Sequence, residues 1–91
     1  MILRSLRALF KVKIHKKVAR EILRLPKNIR EQILDAIRNM RKDPFSGDVK
    51  PIKGVRGVFR RRVGDYRIAF SVDFENKIIV ILRIGHRRSF Y

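Results

Sequence analysis

The 91-residue chain contains no cysteine and no tryptophan, and only two histidines and 8 acidic residues. Without cysteine there are no disulfides, no thiol nucleophile and no thiolate metal ligand. A secreted domain this small would ordinarily carry such staples, so a cytoplasmic protein is expected. His15 and His86 are separated by most of the chain, which argues against a histidine metal pair. The carboxylates are scattered and form no acidic pair of the kind used in two-metal or glycosidase chemistry. No metal and no cofactor are expected. The longest apolar run, Ile78–Leu82, is five residues, about a quarter of the ~20 needed to span a bilayer. Arg4 and Arg7 interrupt residues 1–10 before a signal-peptide core can build, and no membrane association is expected.

What the chain has in excess is positive charge. Lys and Arg number 24 against the 8 acids, a formal net charge of +16, while 45% of residues are hydrophobic. That apolar content is enough for a folded core and excludes a disordered basic tail. The length suits one domain. Self-repulsion at this charge costs stability, which points to a polyanion or an acidic protein as the usual partner.

Along the chain, residues 1–10 read as a leader, and Phe10-Lys11-Val12-Lys13-Ile14 alternates apolar with basic residues as a half-buried strand does. The period then changes. Val18, Ile22 and Leu25 fall on one face of a short helix, Pro26 punctuates, and Ile29, Ile33, Ile37 and Met40 mark a second helix that ends at Asp43-Pro44. Residues 43–57 hold Pro44, Gly47, Pro51, Gly54 and Gly57, a connecting loop by composition. Three strands are predicted after it. Val58–Val63 and Tyr66–Asp73 are joined by Gly64-Asp65, and Lys77–Ile84 follows a turn at Glu75-Asn76. The expected fold is α+β, a two-layer sandwich in β-α-α-β-β-β order. A helical hairpin covers one face of an antiparallel sheet and leaves the other open.

The open face is where the charge collects. If Tyr66, Ile68, Phe70 and Val72 are core, Arg67 points outward; if Phe59 and Val63 are core, Arg60 and Arg62 join it. The apolar run Ile78–Leu82 does not assign faces in the last strand, but Arg83 and Arg87 would share one. Like charges on neighbouring strands destabilise a sheet unless something offsets them, and guanidinium groups bind phosphate oxygens bidentately. Anion binding is therefore expected from Arg60, Arg62, Arg67, Arg83 and Arg87, and Arg88 is a further candidate for phosphate binding. Alternation puts Arg61 on the core face, where it must snorkel at an edge or the register fails. Tyr91 beside Arg87 and Arg88 would be a packing ring, a base stacker or an acid–base group.

The stretch Ile52-Lys53-Gly54-Val55-Arg56-Gly57-Val58-Phe59-Arg60-Arg61-Arg62-Val63-Gly64-Asp65-Tyr66-Arg67-Ile68 and the ending Ile84-Gly85-His86-Arg87-Arg88-Ser89-Phe90-Tyr91 resemble the RelE/ParE toxin superfamily, nearest to RelE. The resemblance covers about residues 11–91, read as a single toxin domain. It implies a metal-free, ribosome-dependent mRNA endoribonuclease that inhibits translation. In that scheme the 2′-hydroxyl of mRNA in the ribosomal A site attacks the neighbouring phosphate. It further implies that Arg67 stabilises the phosphorane charge, Arg87 assists the leaving 5′-oxygen, and Tyr91 orients or deprotonates the 2′-hydroxyl. Arg60 and Arg62 would support the phosphate, and His86 is a reserve acid–base group. The implied partner is a RelB-like acidic antitoxin, in a heterodimer or heterotetramer. Two alternatives stay open: a ParE-like gyrase inhibitor on the same fold, and a non-catalytic basic module for RNA or DNA.

Overall fold

The computed structural model describes residues 9–90. Strand β1 (Lys11–Ile14) leads into helices α1 (Lys16–Arg24) and α2 (Lys27–Lys42), followed by strands β2 (Asp48–Pro51), β3 (Val58–Val63), β4 (Tyr66–Asp73) and β5 (Ile78–His86) and a short helix α3 (Arg87–Phe90). The strands form one sheet in the order β1-β5-β4-β3-β2. The helical hairpin packs on one of its faces, the expected two-layer α+β arrangement.

The helices form where apolar residues recur at helical spacing. Val18 and Ile22 of α1 and Ile33, Ala36, Ile37 and Met40 of α2 are buried against the sheet. The sheet answers with Ile68, Phe70, Ile79 and Ile81, which are completely buried together with Ile33 and Met40. Each such side chain contributes roughly 1.5–3 kcal/mol relative to exposure. Phe10, placed with the leader by composition, is 7% exposed, and its backbone exchanges bonds with Arg41 at 2.9 and 3.1 Å. Residues 1–8 of the leader lie outside the described residues. Among the described residues no helix is long and apolar enough to cross a membrane.

Two features of the sheet differ from expectation. The segment 43–57 is not all loop: Asp48–Pro51 pairs antiparallel with Arg62–Phe59 as an edge strand. Four residues ending in proline carry little strand signal, and an edge position tolerates that proline because nothing beyond needs its missing N–H. The sheet is also mixed, because β1 runs parallel to β5. Only a short turn forces neighbours to be antiparallel. The chain between β1 and β5 spans both helices and three strands, so no turn sets the direction of this pair.

A third feature settles the apolar run. In the β4–β5 ladder, Phe70 faces Ile81 and Ala69 faces Arg83, so Leu82 is an extra residue, a β-bulge. The buried positions of β5 are therefore Ile79, Ile81 and Ile84, two steps and then three. Strict alternation would have sent Arg83 into the core. The bulge turns it to the other face and admits Ile84 instead.

Candidate nucleic-acid interface

The register sorts the cationic side chains. Ladder partners stand side by side on one face, and the face opposite the helices carries two rows. One runs Lys50, Arg60, Ala69, Arg83; the next runs Asp48, Arg62, Arg67, Gly85. Arg60, Arg62, Arg67 and Arg83 thus share the open face as expected, drawn from three adjacent strands about 4.8 Å apart. Lys50 and Asp48 join them from β2, a strand that composition does not mark. The alternation Asp48-Val49-Lys50 was the signal, too short to stand out among prolines and glycines.

Arg60, Arg62 and Arg67 each have a defined lodging. Arg60 is the most enclosed of those in ion pairs, with 15% of its side chain exposed and Nη1 3.5 Å from the Asp48 carboxylate. Arg62 Nε donates to the Gly64 carbonyl at 3.4 Å. Arg67 Nη1 donates to the same carbonyl at 3.3 Å and to the Tyr66 carbonyl at 3.1 Å. Arg67 Nε is buried and has no partner. Two guanidinium groups therefore rest on one oxygen of the β3–β4 hairpin. Gly64, at φ +59°, supplies the left-handed corner this tight turn needs. These are weak, half-solvated contacts that a phosphate could replace with charge-assisted ones.

The end of β5 is built differently from expectation. The strand continues to His86, two residues beyond the predicted Ile84, and Arg87 does not share a strand face with Arg83 because it opens α3. Its position is set by the hairpin: the Arg87 N–H donates to the Asp65 carbonyl at 2.7 Å, and Nε lies 3.7 Å from the Asp65 carboxylate. Arg88, exposed on α3, donates its N–H to His86 Nδ1 at 3.2 Å. His86 is opposite Tyr66 in the ladder, with the rings edge to face at 5.4 Å. Since Tyr66 belongs to the helix-covered face, the imidazole is on the side away from Arg62 and Arg67. Tyr91 lies outside the described residues.

Arg61 resolves as a snorkelling side chain with its register intact. It faces Ile68 and Val49 on the core side, yet its guanidinium reaches the sheet edge and donates to Ser46 Oγ at 3.3 Å. Desolvation lowers its pKa, partly offset by Asp48. Its Nε is buried without a partner. His15 has a structural task, its Nδ1 accepting the Lys17 N–H at the start of α1.

A family model for the ParE toxin of type II toxin–antitoxin systems matches residues 12–91. Toxin RelE3 of Methanocaldococcus jannaschii is 32% identical over 85 residues, 89% of this chain and 94% of the relative. The archaeal RelE–RelB complex from Pyrococcus horikoshii OT3 superposes with a TM-score of 0.77 at 31% identity, covering 89% of this chain and 98% of that one. The toxin–antitoxin complex RelBE2 of Mycobacterium tuberculosis gives a TM-score of 0.74 at 28% identity, with 87% and 99% covered. Fold, length and sequence agree along almost the whole domain, and the chain belongs to the RelE/ParE toxin family of type II toxin–antitoxin systems.

Proposed function

We propose that this toxin is a ribosome-dependent mRNA endoribonuclease working without metal from the arginine-lined face of its sheet. The supporting observation is the placement of Arg60, Arg62, Arg67 and Arg83 on one face, with Arg87 tied to the adjoining hairpin. The 2′-oxygen of one nucleotide would attack its own 3′-phosphorus while the bond to the next 5′-oxygen breaks. The 2′-hydroxyl loses a proton and the 5′-oxygen gains one, leaving a 2′,3′-cyclic phosphate and a 5′-hydroxyl. Negative charge builds on the phosphoryl oxygens, and fixed cations there can contribute several kcal/mol. In this scheme Arg67 meets that charge, Arg60 and Arg62 hold the phosphate, and Arg87 attends the leaving oxygen. Tyr91 orients or deprotonates the 2′-hydroxyl.

An open sheet supplies charge but little alignment of the RNA. Orientation can be worth roughly 7–11 kcal/mol, and the ribosomal A site would provide it. A relative is solved as a RelE–RelB complex, and this chain would pair with an acidic antitoxin that holds it inactive in the cytoplasm, as a heterodimer or heterotetramer. The partner would also offset the +16 charge. The test is cleavage: purified toxin cuts mRNA in translating ribosomes and leaves naked RNA largely intact. Full cutting by the Arg67→Ala/Arg87→Ala double variant refutes the assignment. Inhibition of DNA supercoiling without RNA cleavage would establish the gyrase reading in its place.

A further inference from the structure

Three arginines from three elements end on one two-residue turn. Arg62 and Arg67 donate to the Gly64 carbonyl, and Arg87 is held by the carbonyl and carboxylate of Asp65. Gly64 and Asp65 are consecutive, so the anchors of Arg67 and Arg87 are about 3.8 Å apart at Cα. A carboxylate at this place is costly for an anion site, since it repels the phosphate the arginines attract. Its presence needs a compensating use.

We propose that Asp65 is a positioning residue for Arg87, an inference that rests on the nuclease reading. Arg87 opens a four-residue helix, so no ladder aims its side chain as the sheet aims Arg67. A long, half-exposed side chain in that setting samples many rotamers. The Asp65 contact restrains it from the stem side, through Nε at 3.7 Å, beside the lodging of Arg67. The pair is open to solvent, 50% exposed for Arg87 and 64% for Asp65, so it adds little to folding. What it sets is direction.

A bystander carboxylate and a positioning carboxylate predict opposite results for Asp65→Asn. Removing a bystander strengthens the local positive field and improves both RNA binding and cutting. Removing a positioner lowers kcat about five- to twentyfold through misalignment, with KM unchanged or lower. Asp65→Glu restores part of the rate, and Asp65→Asn has no further effect in an Arg87→Lys background. The Arg87 Nε–H signal in ¹⁵N NMR of the intact toxin shifts in Asp65→Asn and recovers in Asp65→Glu, whether or not the protein cuts RNA. An unmoved signal, or kcat at or above wild type in Asp65→Asn, overturns the proposal. A wild type that cuts no mRNA removes the nuclease reading, and the NMR signal then decides the Asp65–Arg87 tether alone.

Discussion

Arg61 lies where the side chain of residue 47 would be: a Cβ built on Gly47 comes within 2.6 Å of the Arg61 guanidinium. Gly47 also has φ +76°, in the left-handed region. The glycine thus lets the backbone turn and leaves space for a cation that the sheet's alternation had directed inward. Gly47→Ala is expected to destabilise by about 1–3 kcal/mol, combining left-handed strain with displacement of Arg61. Denaturant unfolding of Gly47→Ala in the wild-type and Arg61→Ala backgrounds separates the two parts, because only the strain survives in the second.

Arg61 itself is desolvated and leaves Nε without a partner. Arg61→Met keeps the apolar stem and removes the charge, so the thermal midpoint should equal or exceed that of wild type. A clear drop would show that the Ser46 contact holds the loop.

Arg67→Ala and Arg87→Ala are each expected to lose mRNA cutting by about a hundredfold or more, as removal of one preorganised donor to a developing oxyanion does. Circular dichroism and thermal midpoint should change little, since neither side chain is part of the core. Retained cutting with a retained fold would remove both from the chemistry.

His15 accepts the Lys17 N–H at 3.2 Å at the start of α1. His15→Ala should cost about 1 kcal/mol as a lost helix cap, and His15→Asn should cost much less. Equal losses in the two variants would show that the imidazole acts by packing and not by capping.

The Asp73 carboxyl is held below its ordinary range, chiefly by the Asn76 side chain and then by backbone N–H groups. A depressed acid stabilises the fold above its unfolded pKa and loses that contribution as pH falls through the native value. Asn76→Ala should raise the Asp73 midpoint back towards the ordinary carboxylate range and shrink the acid dependence of stability. A carboxyl ¹³C titration checks this, and an unmoved midpoint contradicts it.

The helices and the β3–β4 hairpin were legible because their signals are local. Ile33, Ile37 and Met40 keep helical spacing, and Gly64 marks a turn between two alternating runs. Arg60, Arg62 and Arg67 followed from that alternation. The parts that escaped depend on distant partners. Asp48–Pro51 is a strand because β3 offers it an edge, and β1 is parallel because a long connection permits it. Arg87 reads as a strand-face residue because nothing in its neighbours announces that the ladder stops at His86, where Asp65 from another hairpin takes the next N–H.

The extra residue at Leu82 makes the last strand behave as two segments in different phase. Ile79 and Ile81 before it and Ile84 after it reach the same hydrophobic layer, and the change of phase keeps Arg83 on the cationic surface. Deleting Leu82 would close the ladder into plain alternation, with Ile81, Arg83 and Ile84 opposite Phe70, Ala69 and Ile68 as they are now, so Arg83 would stay outward and Ile84 inward. Loss of one residue here is therefore felt in the bend and twist of the strand and not in which side chains it buries.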